Sequence, residues 1–177
     1  MSKVRPYCIL TVLILLIYGN TFLNSFHFDD IDLIQKKPWV RGLDKIPSLF
    51  STLGHLTHRP FVNLSFNLNY AISEFQVWSY HFFNILGHIA VTLLVYKLVL
   101  LIGETLSRFR GVSINQQIPF LAALVFALHP LNIESVTYIS GRSSILVTFF
   151  LLAAIILFFK GLLARHLSSN REITCLL

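Results

Sequence analysis

Long apolar stretches alternate with short polar and charged blocks along the chain. Residues 7–25 form the first apolar stretch, and 80–101, 118–133 and 143–160 form three more. Each approaches the roughly 20 residues that an α-helix needs to cross the hydrocarbon core of a bilayer. The pattern predicts an all-α integral membrane protein with about four transmembrane helices.

The first stretch has a competing interpretation as a cleaved signal peptide. Lys3 and Arg5 precede an apolar run, as they would in a signal sequence. No small-x-small cleavage site precedes Phe28, so we expect an uncleaved membrane span.

The distribution of basic residues predicts the orientation of the spans. Cytoplasmic flanks of membrane helices are enriched in Lys and Arg. With the N-terminus in the cytoplasm, that side holds Lys3, Arg5, Lys97, Arg108, Arg110, Lys160, Arg165 and Arg171. The short third connection on the opposite side holds only Arg142. The N-terminus is therefore predicted to be cytoplasmic, with the loop 29–79 extracytoplasmic.

Two segments of this loop have helical periodicity. Apolar residues recur at spacings of three and four in 46–56, and again after Pro60. The second series is Phe61, Leu64, Leu68, Ile72 and Phe75, with Asn63, Asn67 and Tyr70 on its other side. We predict two amphipathic helices at the membrane surface, the second with its polar face toward a water-filled site. Packing against the spans alone is an equally open alternative.

Composition excludes several classes of protein. Of the 177 residues, 55% are hydrophobic and 12% are charged, about half the charged fraction of a soluble domain. The chain has 14 Lys and Arg against 8 Asp and Glu. The basic residues lie beside the spans and form no long stripe, so they indicate a membrane as partner and no nucleic acid. Cys8 and Cys175 suggest no disulfide framework. The length suits a small membrane subunit or one end of a larger protein.

The acidic pair Asp29 and Asp30 follows the first span directly. Carboxylates at a span end usually have a partner or a task. Such a pair can supply a general base or bind a divalent metal, and it can also simply end a helix. We assign no metal ligands and no cofactor, and a divalent metal stays open as an alternative.

The third connection concentrates polar groups between two apolar spans. It carries His129, Glu134, Tyr138 and Arg142. A guanidinium such as that of Arg142 suits a phosphate group through charge-assisted hydrogen bonds. An interfacial anchor or an ion pair with Glu134 are the alternatives. Further donors on the same predicted face are His58, Arg59 and His81.

Four segments in order resemble a known family. They are Phe26-His-Phe-Asp-Asp-Ile31, His58-Arg-Pro-Phe-Val-Asn-Leu-Ser-Phe-Asn-Leu-Asn-Tyr70, Tyr80-His-Phe-Phe-Asn-Ile-Leu-Gly-His88 and Ala127-Leu-His-Pro-Leu-Asn-Ile-Glu-Ser-Val-Thr-Tyr-Ile-Ser-Gly-Arg142. The chain resembles the N-terminal part of the transmembrane and tetratricopeptide-repeat proteins, membrane glycosyltransferases of the GT-C class related to protein O-mannosyltransferases.

The resemblance implies a function and a set of roles. The donor would be a polyprenyl or dolichyl phosphate-linked sugar, and the acceptor a protein hydroxyl or a glycan on the extracytoplasmic face. The membrane would be that of the endoplasmic reticulum or the bacterial inner membrane. Asp29 and Asp30 would supply the general base. Arg142, His129 and Arg59, in falling order, would hold the donor phosphate, with Glu134, His58, His81 and Tyr138 in support.

The chain also departs from the family. Family members carry many more spans and an array of helical repeats, whereas no repeat of about 34 residues occurs here. We expect 1–177 to be one membrane domain, the N-terminal portion of a larger module that does not act alone. The alternative is a membrane scaffold or assembly subunit, or an inactive fragment, that keeps the fold without catalysis.

Overall fold

The computed structural model describes residues 4–50, 59–115 and 117–175. Every regular element in these ranges is helical, which confirms the all-α class. The α-helices are α1 Arg5–Tyr18, α2 Ile46–Leu49, α3 Pro60–Ser73, α4 Val77–Arg110, α5 Ile118–Leu128, α6 Asn132–Thr137 and α7 Arg142–Cys175. Shorter turns of 3₁₀ or π-helix occupy Gly19–Leu23, Ile31–Gln35, Pro38–Val40, Leu43–Lys45 and Ile139–Gly141.

Three helical segments are long and apolar enough to cross a membrane. They are Arg5–Leu23, Val77–Arg110 and Ile139–Ala164, and they include most of the first, second and fourth predicted spans. Backbone polar groups are satisfied within each helix, as a hydrocarbon environment requires. The chain is therefore an all-α membrane protein.

The predicted span 118–133 corresponds to a shorter helix. Helix α5 has 11 residues and extends about 16 Å, roughly half the thickness of the hydrocarbon core. It ends at Leu128 because His129 precedes Pro130, and a residue before proline disfavours the helical conformation. The chain then turns directly into α6.

Helix α4 lies at the centre of the fold and contacts α1, α3, α5 and α7. One of its faces carries His81, Asn84, His88 and Thr92, all buried. Their spacing of three and four residues places them on one side of the helix. Polar side chains in membrane helices turn toward protein because their exposure to lipid is costly, so this stripe directs α4 into the bundle.

Apolar clusters hold the neighbouring helices on α4. Ile14 and Tyr18 of α1 pack with Ile85, Ala127 and Val136. Near the start of α4, Tyr80 joins a second cluster that brings together the loop after α1, helix α3 and the turn before α7; its other buried members are Phe26, Ile34, Val40, Phe66 and Ile139. This second cluster supports the polar groups described below.

Helix α3 forms where the periodicity predicted it, with its polar side packed inward. Asn67 and Asn69 are fully buried, whereas Phe61 and Ile72 are 65% and 57% exposed. The polar side thus faces protein and no water-filled site, and the exposed apolar side suits a membrane surface. Of the first predicted amphipathic segment, α2 covers the beginning, and residues 51–58 lie outside the described residues.

Gly141 allows the turn before α7 to pack directly on the backbone of α6. A Cβ at this position would lie 2.6 Å from the Glu134 carbonyl oxygen and 2.9 Å from Ser135 Cα. We expect Gly141→Ala to lower the free energy of unfolding by about 1–3 kcal/mol, because backbone atoms cannot move aside as a flexible side chain does.

The matched control is Gly161→Ala within α7, where a Cβ would meet nothing within 4 Å. That change should leave stability equal or slightly higher, since alanine favours helix. Thermal unfolding of the detergent-solubilised protein measures both variants. Equal melting temperatures for Gly141→Ala and the parent would contradict the close approach.

Candidate functional site

The two neighbouring aspartates occupy different environments. Asp30 is 1% exposed, and its Oδ1 accepts hydrogen bonds from both the N–H, at 2.7 Å, and the hydroxyl of Ser140. Its Oδ2 accepts the N–H of His27 at 3.3 Å. Both carboxylate oxygens are therefore engaged, and they tie the loop after α1 to the turn before α7.

Asp29 is exposed, and no described residue donates a hydrogen bond to its carboxylate. Its backbone N–H donates to the hydroxyl of Tyr138 at 2.9 Å. Desolvation raises the pKa of the Tyr138 phenol, so this hydroxyl stays protonated at neutral pH and keeps a proton to donate. The Asp29 carboxylate is thus exposed, while its backbone is held by Tyr138 and by the neighbouring Asp30, which is bonded to Ser140.

The Arg142 guanidinium is buried, with 3% of the residue exposed. Its Nε donates to Asn84 Oδ1 at 2.8 Å, and Nη2 donates to the Tyr80 carbonyl at 2.9 Å. Nη1 donates to Ser65 Oγ at 3.1 Å and also to Asn69 Oδ1. These partners come from α3 and α4, so Arg142 joins both helices to the start of α7.

Among the described residues, no carboxylate lies within ion-pair distance of this buried charge, and Asp30 attracts it from further away. The ion pairs among the described residues are Lys36–Asp32 and Lys45–Asp44, and Glu134 is exposed on α6 without pairing to Arg142. Carbonyl oxygens and the aromatic ring of Phe66, 4.7 Å from the guanidinium carbon, contact it instead. Cation–π contacts of this kind strengthen when water is excluded.

Arg59 lies at an open groove between the start of α3 and the first turns of α7. Its Nη1 donates to Ser143 Oγ at 3.4 Å, and the residue is exposed. The groove has a volume of about 790 Å³. Hydroxyl and apolar side chains line it together with Arg59; the lining includes Ser143, Ser144, Thr148, Leu146, Val147 and Phe150. A groove that combines a cation with apolar side chains suits an amphipathic anion.

Hydrogen bonds connect this groove to the acidic pair. Ser143 Oγ donates to the Ser140 carbonyl at 3.5 Å, and Ser140 in turn holds Asp30. Asp29, the residue before Asp30, is held at Tyr138, directly before the same short turn. Two of the predicted groups, Asp29 and Arg59, are thus anchored to one segment, residues 138–143.

The remaining predicted residues take other places. His129 is exposed at the end of α5, where its Nδ1 accepts the N–H of Leu131 at 3.2 Å. His81 is fully buried, and its Nε2 faces the Asn24 carbonyl at 3.3 Å. His58 lies outside the described residues. Among the described residues, no group of three His, Cys, Asp or Glu is placed to hold a metal ion.

The sequence pattern missed the residues that hold Arg142. Asn84 accepts from its Nε, and the same amide donates to the Tyr138 carbonyl at 3.1 Å. A polar amide inside an apolar membrane helix is itself a signal of a buried partner. A second signal is the series Ser65, Asn69 and Ser73, whose spacing of four places a polar stripe on one side of α3.

We expect Arg142→Ala to lower the free energy of unfolding by about 3 kcal/mol, because it leaves buried amide and carbonyl acceptors without a donor. The control Arg59→Ala removes an exposed guanidinium and should change stability by less than about 0.5 kcal/mol. Denaturation of both variants in detergent measures the difference. Equal losses would show that the buried network adds no stability.

Relatives at 28–34% identity align with most of the chain. A protein O-mannosyl-transferase of Caenorhabditis elegans is 34% identical over 97% of this chain and 24% of its own length. The human protein O-mannosyl-transferase TMTC2 is 32% identical over 88% of the chain and 19% of its own. The mouse protein O-mannosyl-transferase TMTC3 is 29% identical over 81% of the chain and 16% of its own length.

Neither a protein-family profile nor a solved structure matches the chain. The chain spans at most about a quarter of the length of these relatives. Over most of its own length, the chain is nevertheless a homologue of the TMTC protein O-mannosyl-transferases, in agreement with the resemblance carried by its four ordered segments.

Proposed function

We propose that the chain forms part of the donor and acceptor site of a membrane O-mannosyltransferase. The donor is a polyprenyl or dolichyl phosphate-linked mannose, and the acceptor is a protein hydroxyl. The observation that carries this proposal is that one segment holds both groups: Tyr138 accepts the backbone N–H of Asp29, whose carboxylate is exposed, and Ser143 accepts a hydrogen bond from Arg59 in the groove. The names of the relatives supply the class of reaction.

Asp29 acts as the general base. The acceptor oxygen attacks the anomeric carbon, its proton passes to the Asp29 carboxylate, and the bond from that carbon to the phosphate oxygen breaks. The lipid phosphate leaves with the bonding electrons. Tyr138 holds the backbone of Asp29 during this step, and its own hydroxyl proton stays available to a substrate oxygen.

Asp30 has a positioning role in this proposal. Its charge-assisted hydrogen bonds to Ser140 fix the turn from which Asp29 projects. A carboxylate that is already buried and fully engaged is a poor proton acceptor for a substrate. Asp30 therefore positions the site, and the adjacent Asp29 accepts the proton.

Arg59 holds the donor phosphate, and the apolar part of the groove holds the first isoprene units. A phosphate is already a competent leaving group, so cationic and hydroxyl donors around it matter more than a general acid. Arg59, Ser143 and Ser144 are among the residues that line the groove. Arg142 supports this surface from below, since its N–H groups are engaged with protein acceptors.

The exposed groups His129 and Glu134 are assigned to the acceptor side. Both lie on the connection between α5 and α7, which also carries Tyr138, the hydrogen-bond partner of the Asp29 backbone. We also propose that this face is extracytoplasmic, with the N-terminus in the cytoplasm, because the basic flanks lie at the opposite ends of the spans. In a eukaryotic cell the membrane would be that of the endoplasmic reticulum.

Asp29→Asn should lower the rate of sugar transfer by about 10²–10⁴-fold, the usual contribution of a general base. Labelled mannose transfer from a polyprenyl phosphate donor, catalysed by membranes that contain the full product of the gene, measures this rate. Membrane insertion and expression should stay unchanged.

The control for the base is Asp32→Asn, which removes an exposed carboxylate that forms an ion pair with Lys36 and should leave the rate unchanged. Full activity of Asp29→Asn would reject Asp29 as the base. Absence of transfer from every polyprenyl phosphate sugar tested, by the parent protein, would favour the non-catalytic scaffold.

Arg59→Ala should raise the apparent KM for the lipid-linked donor by about tenfold, with a smaller effect on kcat, because a charged contact to the donor phosphate is lost. The matched control Arg110→Ala removes an exposed guanidinium at the far end of α4. Donor titrations of both variants make the comparison. An unchanged KM for Arg59→Ala would place the phosphate elsewhere.

A further inference from the structure

The turn between α3 and α4 contains a residue in an unfavourable backbone conformation. Glu74 has φ 51° and ψ −119°. The Gln76 N–H donates to the Ser73 carbonyl at 2.9 Å, which closes a type II′ turn with Glu74 at its first central position. Glycine ordinarily occupies this position, because a side chain with positive φ is strained.

The surrounding hydrogen bonds impose this conformation. The Tyr80 hydroxyl donates to the Glu74 carbonyl at 2.9 Å, and the Ser73 hydroxyl donates to the Gln76 carbonyl at 3.0 Å. The Glu74 side chain itself is exposed and takes part in no ion pair with another described residue. A carboxylate at a strained position, with no ion-pair partner in the described part of the chain, suggests a ligand.

Glu74 lines a cavity of about 600 Å³ together with apolar and aromatic side chains. The others that matter here are Phe75 and Trp78, both partly exposed, and Gln76. The Trp78 Nε1 donates to Gln76 Oε1 at 3.2 Å, which fixes the indole relative to the turn. Aromatic rings and a carboxylate together recognise a quaternary ammonium group.

A guanidinium lies over the ring of Phe75, one of the residues that line this cavity. The Arg41 guanidinium carbon is 5.6 Å from the centre of the Phe75 ring. Phe75 therefore follows the acidic Glu74 in the sequence and has the basic Arg41 over its ring. This arrangement complements a ligand that carries both a positive and a negative charge.

The cavity also lies where a bilayer presents its headgroups. Trp78 is the second residue of α4, which is long and apolar enough to cross a membrane. Tryptophan at the end of such a helix normally lies at the level of the lipid headgroups. The exposed apolar side of α3 leads toward the same end of α4.

We propose that this cavity binds the headgroup of a zwitterionic phospholipid of the phosphatidylcholine class. Glu74 and the Trp78 ring contact the ammonium group, and Arg41, which lies over the Phe75 ring, contacts the phosphate. The site is separate from the Arg59 groove and independent of sugar transfer. An anionic lipid lacks the ammonium group and would place its phosphate near Glu74 without compensation.

Fluorescence quenching of Trp78 tests the proposal. Trp39→Phe leaves Trp78 as the single tryptophan of the chain. The protein is reconstituted in mixed bilayers of phosphatidylcholine and phosphatidylglycerol, with a nitroxide near the headgroup end of the acyl chain of one lipid and then of the other. We expect phosphatidylcholine to be preferred at Trp78 by about three- to fivefold.

Glu74→Gln should reduce this preference to nearly equal quenching by the two lipids. The matched control Glu104→Gln removes an exposed carboxylate from the other half of α4 and should keep the preference. Equal quenching in the parent would identify Trp78 as an ordinary interfacial anchor and overturn the proposal. A preference that persists in Glu74→Gln would overturn it as well.

Glu74→Gly separates binding from backbone strain. Glycine accepts the positive φ freely, so the melting temperature should rise while the lipid preference disappears. Loss of preference in a better-folded protein cannot result from misfolding. A glycine variant that retains the preference would show that the carboxylate has no part in lipid binding.

Discussion

The burial of one positive charge organises the polar half of this protein. A guanidinium deprived of water must find acceptors from several directions at once. Arg142 finds them on α3 and α4, and these helices are thereby fixed against the start of α7. The groove beside Arg59 and the turn that holds Asp30 both belong to this fixed assembly. The groups that we propose as reactive, Asp29 and Arg59, can therefore be placed accurately without being buried themselves.

The same principle separates the two aspartates. The Asp30 carboxylate is engaged in hydrogen bonds that join distant parts of the chain, whereas the carboxylate of the adjacent Asp29 is exposed. A rigid support beneath an exposed base is an efficient arrangement for proton transfer, since the base needs little reorganisation when the substrate arrives. In the proposed enzyme, therefore, buried polar groups hold the site in place, and exposed polar groups react with the substrates.

The apolar pattern predicts the helical class, α3 and four spans, three of which are long membrane helices, because periodicity and length are local properties; the fourth, 118–133, contains only the 11-residue α5. The pattern could not show that α3 turns its asparagines inward, since that depends on Arg142, more than 70 residues away. Whether Asp29 or Asp30 is free depends on Ser140, 110 residues beyond Asp30. The sequence favoured Arg142 as the phosphate ligand for its chemistry alone; burial, which a sequence does not display, distinguishes it from Arg59.

The most direct measurement is a structure of the full gene product with a non-transferable polyprenyl phosphate mannose analogue bound. We predict that the phosphate lies within hydrogen-bond distance of the Arg59 guanidinium, that the lipid follows the groove along α7, and that the Asp29 carboxylate faces the anomeric carbon. The Arg142 network should remain as it is without the donor. A phosphate bound directly to Arg142, with its bonds to Asn84 and Asn69 broken, would contradict this division between supporting and reacting groups.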